Sequence, residues 1–199
     1  MESSDVCKVW YNNLLKSGKR IKSTSYEYGI IDHFGSSGNG EIFLAITSDN
    51  FLVGLKIISH SRISSVEKEV ENSRLMSKKA ADIFLPLMEY FILEEDHEKF
   101  YILVLKYFEG YVPLYSFFDK NLFHQEQREK IKGTVKQYLE IIHKLNIAHL
   151  DIDHSKILVH RKTQHVRFFD LGFSVQKSGT TEDQFRRLTQ KDICSIEEI

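Results

Sequence analysis

The sequence predicts an α+β fold in which a small β-rich unit is followed by a mainly helical one. Three observations predict it. Short runs rich in β-branched and aromatic residues, at 41–46, 52–58, 87–93 and 100–106, are separated by turn residues and read as strands. One helix interrupts them: Ser64 and Glu67 have the spacing of a capping box, and the helix runs from there to about Lys79. Beyond Gly110, Ile131, Val135, Tyr138, Leu139, Ile142 and Leu145 recur at three- and four-residue intervals, the mark of a long amphipathic helix.

Two short strands, 157–159 and 166–169, follow the long helix. Ahead of the β-rich unit, Val6, Val9, Trp10 and Leu14 share one face of a short helix beginning near Asp5, expected to pack on the domain. A polar linker, 16–25, comes next. The organisation expected is a helix and linker over 1–25, a β-rich unit over 26–106 and a helical unit over 107–199.

Bulk properties exclude some classes. With 199 residues, 42% of them hydrophobic, the chain can bury a sizeable core. Lys and Arg (27) nearly balance Asp and Glu (28), and a net charge of −1 predicts no nucleic-acid or membrane partner. Cys7 and Cys194 are the only cysteines, too few for a disulfide framework and in keeping with a reducing compartment. Met1–Asp5 has neither a basic nor an apolar leader region, so a cytoplasmic protein is expected, with a nuclear one as the alternative; the run Lys19-Arg20-Ile21-Lys22 reads as solvated surface before it reads as a nuclear-localisation signal.

The residues that carry chemistry come in an ordered series. Gly35-Ser36-Ser37-Gly38-Asn39-Gly40 lies in a strand–turn–strand context, where absent Cβ atoms let backbone amides approach a phosphate; a plain hairpin turn reads equally well. Lys56, flanked by apolar residues in a strand, must snorkel or meet an anion. Glu67 is taken by the capping box, so Glu71 is the expected partner of Lys56. After the long helix comes Ile147-Ala148-His149-Leu150-Asp151-Ile152-Asp153-His154-Ser155-Lys156-Ile157-Leu158-Val159, and then Asp170-Leu171-Gly172. One carboxylate on a loop and another behind a short hairpin suit two jobs: Asp151 accepts the proton of an incoming hydroxyl, and Asp170 ligates magnesium.

From about Gly29 to Ile196 this series resembles the eukaryotic-type protein kinase family. The resemblance implies a protein-kinase-like two-lobe fold, with ATP and magnesium as cofactors. It makes Gly35, Gly38 and Gly40 the glycine-rich loop, with Ile42 beside the nucleotide, and Lys56 with Glu71 the ion pair that positions ATP. Leu105 becomes the gatekeeper, and Lys106, Tyr107 and Phe108 the adenine-contacting hinge. His149-Leu150-Asp151 is similar to the family's His-Arg-Asp and Asp170-Leu171-Gly172 to its Asp-Phe-Gly, while Asp192 looks like the aspartate at the start of a helix that braces the catalytic loop.

The chain also departs from the family. Ser37 replaces a glycine, and Leu150 replaces the arginine that grips an activation-loop phosphate, which makes Thr180 and Thr181 poor switch sites. Asp153 stands in place of a lysine and Lys156 in place of a metal-binding asparagine. Lysine has three donors and no acceptor, so Lys156 cannot ligate magnesium; it is expected instead to neutralise phosphate charge. No Ala-Pro-Glu follows Asp170, so the helical lobe is expected to be truncated and to offer apolar surface to a protein substrate or partner.

The activity implied is ATP-dependent transfer to a protein hydroxyl, serine or threonine by default. The rivals are a pseudokinase acting as a nucleotide- or partner-binding module, a small-molecule phosphotransferase, and a metallohydrolase built on His149, Asp151, Asp153 and His154.

Overall fold

A computed structural model describes residues 18, 20–37, 40–60, 63–95, 97–119 and 125–198. The expected helix around Val6–Leu14 and Gly38 of the glycine-rich segment lie outside the described residues. The chain divides into two compact units: residues up to Arg74 with Pro86–Tyr107, and Leu75–Leu85 with Phe108 onward.

The first unit is a six-stranded antiparallel sheet and most of a helix. Its strands are β1 (Ile21–Lys22), β2 (Glu27–Ser37), β3 (Gly40–Thr47), β4 (Leu52–Ser59), β5 (Leu87–Glu95) and β6 (Glu98–Lys106), in the order β1-β2-β3-β4-β6-β5. The four strands expected from sequence are present, each within two residues of its expected bounds. β2 adds to them, and its pairing with β3 is broken by register shifts at Ile30/Asp32 and His33/Gly35.

Helix α1 (Ile63–Lys79) begins at Ile63, so Ser64 lies inside it rather than at its cap. Its residues up to Arg74 belong to this unit.

Side-chain alternation along β4 decides where Lys56 goes. Val53, Leu55 and Ile57 join one cluster with Phe43, Phe100 and Ile102. Ile58 joins another with Val66 and Val70 of α1, Tyr101 and Leu103. Residues two apart on a strand share a face, so Lys56 points the same way as Ile58, towards the helix. That is why β4 is buried almost without interruption from Val53 to Ser59: one face meets the aromatic cluster and the other meets α1.

The second unit is mainly helical. It contains α2 (Leu114–Asp119), the 20-residue α3 (Gln125–Lys144) and α4 (Glu182–Ser195). Ile131, Val135, Leu139 and Ile142 are the buried stripe of α3, as their spacing predicts. They pack with Met76, Phe84, Leu114, Ile157, Val159, Phe168 and Leu171 in one core.

Two small strand assemblies complete it. β9 (Ile157–His160) pairs with β10 (Val166–Phe168) on one side and β7 (Tyr111–Pro113) on the other. β8 (Ile147–Ala148) pairs with β11 (Val175–Gln176).

α4 corrects one expectation. The sequence suggested a helix starting at Asp192, whereas it starts at Glu182. Thr181 is its N-cap, and a reciprocal capping box joins the Thr181 and Gln184 side chains to each other's backbone amides. Glu182 and Asp183 in the first turn add favourable charge at the positive end of the helix.

Candidate active site

The glycine-rich segment is a hairpin in the first unit. Gly35 pairs with Ile42 and Ser36 with Glu41 across β2 and β3. Two glycines are required, one by its backbone conformation and one by what surrounds it. Gly35 has φ of 147°, a conformation that side-chain-bearing residues rarely adopt. A Cβ on Gly40 would lie 2.4 Å from the carbonyl oxygen of Ile57. Beneath the hairpin, the buried Glu41 carboxylate accepts from Ser36 Oγ at 2.7 Å and lies 2.7 Å from His33 Nε2, tying the two strands together.

Lys56 is wholly buried, and its ammonium donates to both carboxylate oxygens of Glu69, at 2.7 and 2.9 Å. This corrects the pairing read from sequence, which chose Glu71. Glu71 is exposed, and two residues along a helix is a turn of about 200°, which sends the side chains to opposite sides. Glu69 stands between Val66 and Val70 on the buried face, and that spacing was the signal available in the sequence.

Leu105 is buried at the end of β6, with Lys106 exposed and Tyr107 half-buried beyond it. The Phe34 and Tyr107 rings stack at 6.3 Å within the first unit. Phe108 belongs to the second unit, where the Arg167 guanidinium lies 4.0 Å above its ring. That guanidinium also donates to the Ala81 carbonyl at 2.6 Å. Ile42 is half-buried on β3.

In the second unit, topology brings the two aspartates of the sequence series together. β8 ends one residue before His149, and β11 begins shortly after Gly172; their pairing closes both segments onto one place. The β9–β10 hairpin sets Ile157 opposite Phe168, so Lys156 and Phe169 adjoin, with Phe169 N–H donating to the Lys156 carbonyl at 3.2 Å. Asp170 follows immediately.

Lys156 Nζ is therefore 3.2 Å from Asp170 Oδ2 and 3.8 Å from Asp151 Oδ2. Asp170 is buried with φ of 66°, and its Oδ1 accepts from Gly172 N–H at 3.4 Å. Asp151 is half-buried. Burial raises its pKa above the ordinary carboxylate range, helped by the charges of Asp170 and Asp153 and opposed by Lys156.

The brace attributed to Asp192 is present. Its carboxylate accepts from the backbone N–H of His149 at 2.8 Å and of Leu150 at 2.7 Å, and from His143 Nε2 at 2.9 Å. Leu150 is held at φ of 65°, a left-handed conformation that costs a non-glycine residue about 1 kcal/mol or more. Charge-assisted bonds from two successive amides to one carboxylate over-determine that turn and fix the direction in which Asp151 leaves it.

The His149 ring is fully buried, stacked on Phe84 at 6.1 Å and close to Phe168. Burial lowers its pKa against the pull of Asp192, Asp170, Asp151 and the Phe169 carbonyl. A ring buried in this way is a packing element. The metallohydrolase reading of His149, Asp151, Asp153 and His154 finds no support, since among the described residues no group of three or more His, Cys, Asp or Glu is placed to hold a metal.

The first unit carries the buried Lys56–Glu69 pair, and the second carries the braced Asp151 loop with Asp170 behind a hairpin. The sequence profile described as "Protein kinase domain" matches residues 28–194, most of the chain, and the chain belongs to that family. It has the family's α+β fold and kinase-like character. No curated protein shows significant similarity to the chain. Among the described residues, no helix is long and apolar enough to cross a membrane.

Proposed function

We propose that the chain transfers the terminal phosphate of ATP to a protein hydroxyl, with serine or threonine as acceptor. The observation that carries this reading is the buried Lys56–Glu69 pair. A buried ion pair is a poor device for stability, because desolvation offsets most of its attraction. Its use is to hold one ammonium, fixed in position, for a nucleotide phosphate. Asp151 receives the acceptor proton, and its raised pKa suits a group that gains a proton during transfer. The protein substrate, or a protein partner, docks on the second unit.

The family implies magnesium, and Asp170 is the carboxylate suited to hold it. Lys156 offers no oxygen, and its ammonium stands 3.2 Å from Asp170 Oδ2. This donor set does not fit two ions. The same contact favours a second reading, a nucleotide-binding module without transfer, because the ammonium occupies one face of the metal-binding carboxylate.

Incubation with γ-labelled ATP and protein acceptors, followed by phosphoamino-acid analysis, tests the proposal. Labelled phosphoserine or phosphothreonine, absent with Lys56→Met, is expected. ATP binding without any labelled product would leave the binding module.

A further inference from the structure

We infer that Lys156 is a built-in cation of the nucleotide site, binding ATP phosphate directly so that nucleotide binding does not require a divalent ion. The inference deepens the phosphotransfer reading and rests on it for the identity of the nucleotide.

Three features carry it. The Lys156 ammonium lies 3.2 Å from Asp170 and 3.8 Å from Asp151, the place where a cation would balance the two carboxylates. The side chain is 8% exposed, so the ammonium is largely shielded from solvent where it stands. Its backbone is fixed at both ends: Lys156 N–H donates to the Asp153 carbonyl at 3.1 Å, and its own carbonyl accepts from Phe169 at 3.2 Å. An ammonium held like this is pre-organised, and lysine binds phosphate as a point charge.

The same charge works against a metal. Any ion on Asp170 Oδ2 must displace the ammonium or sit beside it, and like charges in a partly dehydrated site repel strongly. Nucleotide and metal binding are therefore weakly coupled in this chain, and reciprocity makes that weakness measurable from either side.

The test is calorimetric titration of the full chain with ATP, once in excess magnesium and once in excess EDTA. Lys156→Met and Lys156→Asn are titrated alongside, after thermal melting has shown that they fold. The wild type is expected to bind ATP with dissociation constants that agree within about threefold in the two conditions, below the ~5-fold lower end of ordinary allosteric coupling. Lys156→Met, which keeps the stem and removes the charge, is expected to weaken binding in EDTA by about tenfold or more, the range of a lost charge-assisted contact. Lys156→Asn, which supplies an oxygen, is expected to bind only with magnesium.

Wild-type binding that changes with magnesium by more than about threefold overturns the inference and leaves the phosphotransfer reading intact. Unchanged binding of Lys156→Met in EDTA overturns it as well. Failure of ATP to bind in either condition overturns both. The wild-type comparison decides the first point even if a variant misfolds.

Discussion

Removing Glu69 tests the organisation of the first unit, because Lys56 would be left as a charged group with no water around it. Lys56 is wholly buried and both Glu69 oxygens lie within 2.9 Å of its ammonium. Breaking one side of such a pair costs about 3–5 kcal/mol, since the remaining charge stays desolvated without its bidentate partner. For a chain of this size, each kcal/mol lowers the melting temperature by about 2–4 °C, so Glu69→Ala is expected to melt about 6–20 °C below wild type. Glu71→Ala removes an exposed carboxylate and is expected to stay within about 0.5 kcal/mol of wild type. The double replacement Lys56→Met with Glu69→Met removes both charges and is expected to recover most of the loss. Thermal melting followed by circular dichroism measures all four proteins. If Glu69→Ala costs no more than Glu71→Ala, the assignment of Glu69 is refuted. If the double variant is as unstable as Glu69→Ala, the loss has another origin than an orphaned charge.

The buried His149 gives a pH dependence. Its folded-state pKa is depressed, so the unfolded chain binds the proton more readily; the stability present above about pH 6.5 is lost as pH falls, by up to ~1.4 kcal/mol per pH unit. His149→Phe is expected to flatten that slope in urea melts between about pH 7.5 and about pH 5.5, and an unchanged slope would contradict it. Asp192→Ala deprives the His149 and Leu150 amides of their acceptor. It is expected to cost about 2–4 kcal/mol and to speed hydrogen exchange at those two amides more than in α3; protection that stays intact would argue against the brace. Two glycines should respond in opposite directions in the same melts. Gly40→Ala meets the Ile57 carbonyl and is expected to destabilise by about 1–3 kcal/mol, while Gly133→Ala, in open space on α3, is expected to stabilise by up to about 1 kcal/mol.

The residues that were legible in the sequence are those whose role follows from local pattern. Apolar runs marked β3 to β6, and the stripe from Ile131 to Ile142 marked α3, because burial of one face repeats at a fixed interval. Asp151, Asp170 and Asp192 were legible as an ordered series, and the structure brings them to one place. Glu69 is hidden in the sequence because Glu67 fits a cap and Glu71 lies one turn on; a face count through Val66 and Val70 points to Glu69 instead. The start of α4 is legible only when Thr181, Glu182 and Gln184 are read together as a capping box, ahead of the helix that Asp192 suggests. β8 and β11 have two residues each, too few for any period, and form only because the turns around His149 and Gly172 bring them together. The closeness of Lys156 to Asp170 depends on the register of the β9–β10 hairpin, which no single residue announces.

Transfer of labelled phosphate from ATP by the wild type and by Asp151→Asn, with ATP binding measured on the same samples, tests the central claim most directly. In the proposed function Asp151 accepts the proton of the incoming hydroxyl and is not needed to bind ATP. The expected result is that Asp151→Asn still binds ATP and loses transfer by about a hundredfold or more, as removal of a general base does. Transfer that persists undiminished in Asp151→Asn, or a wild type that binds ATP and transfers nothing to any protein acceptor, would contradict the account.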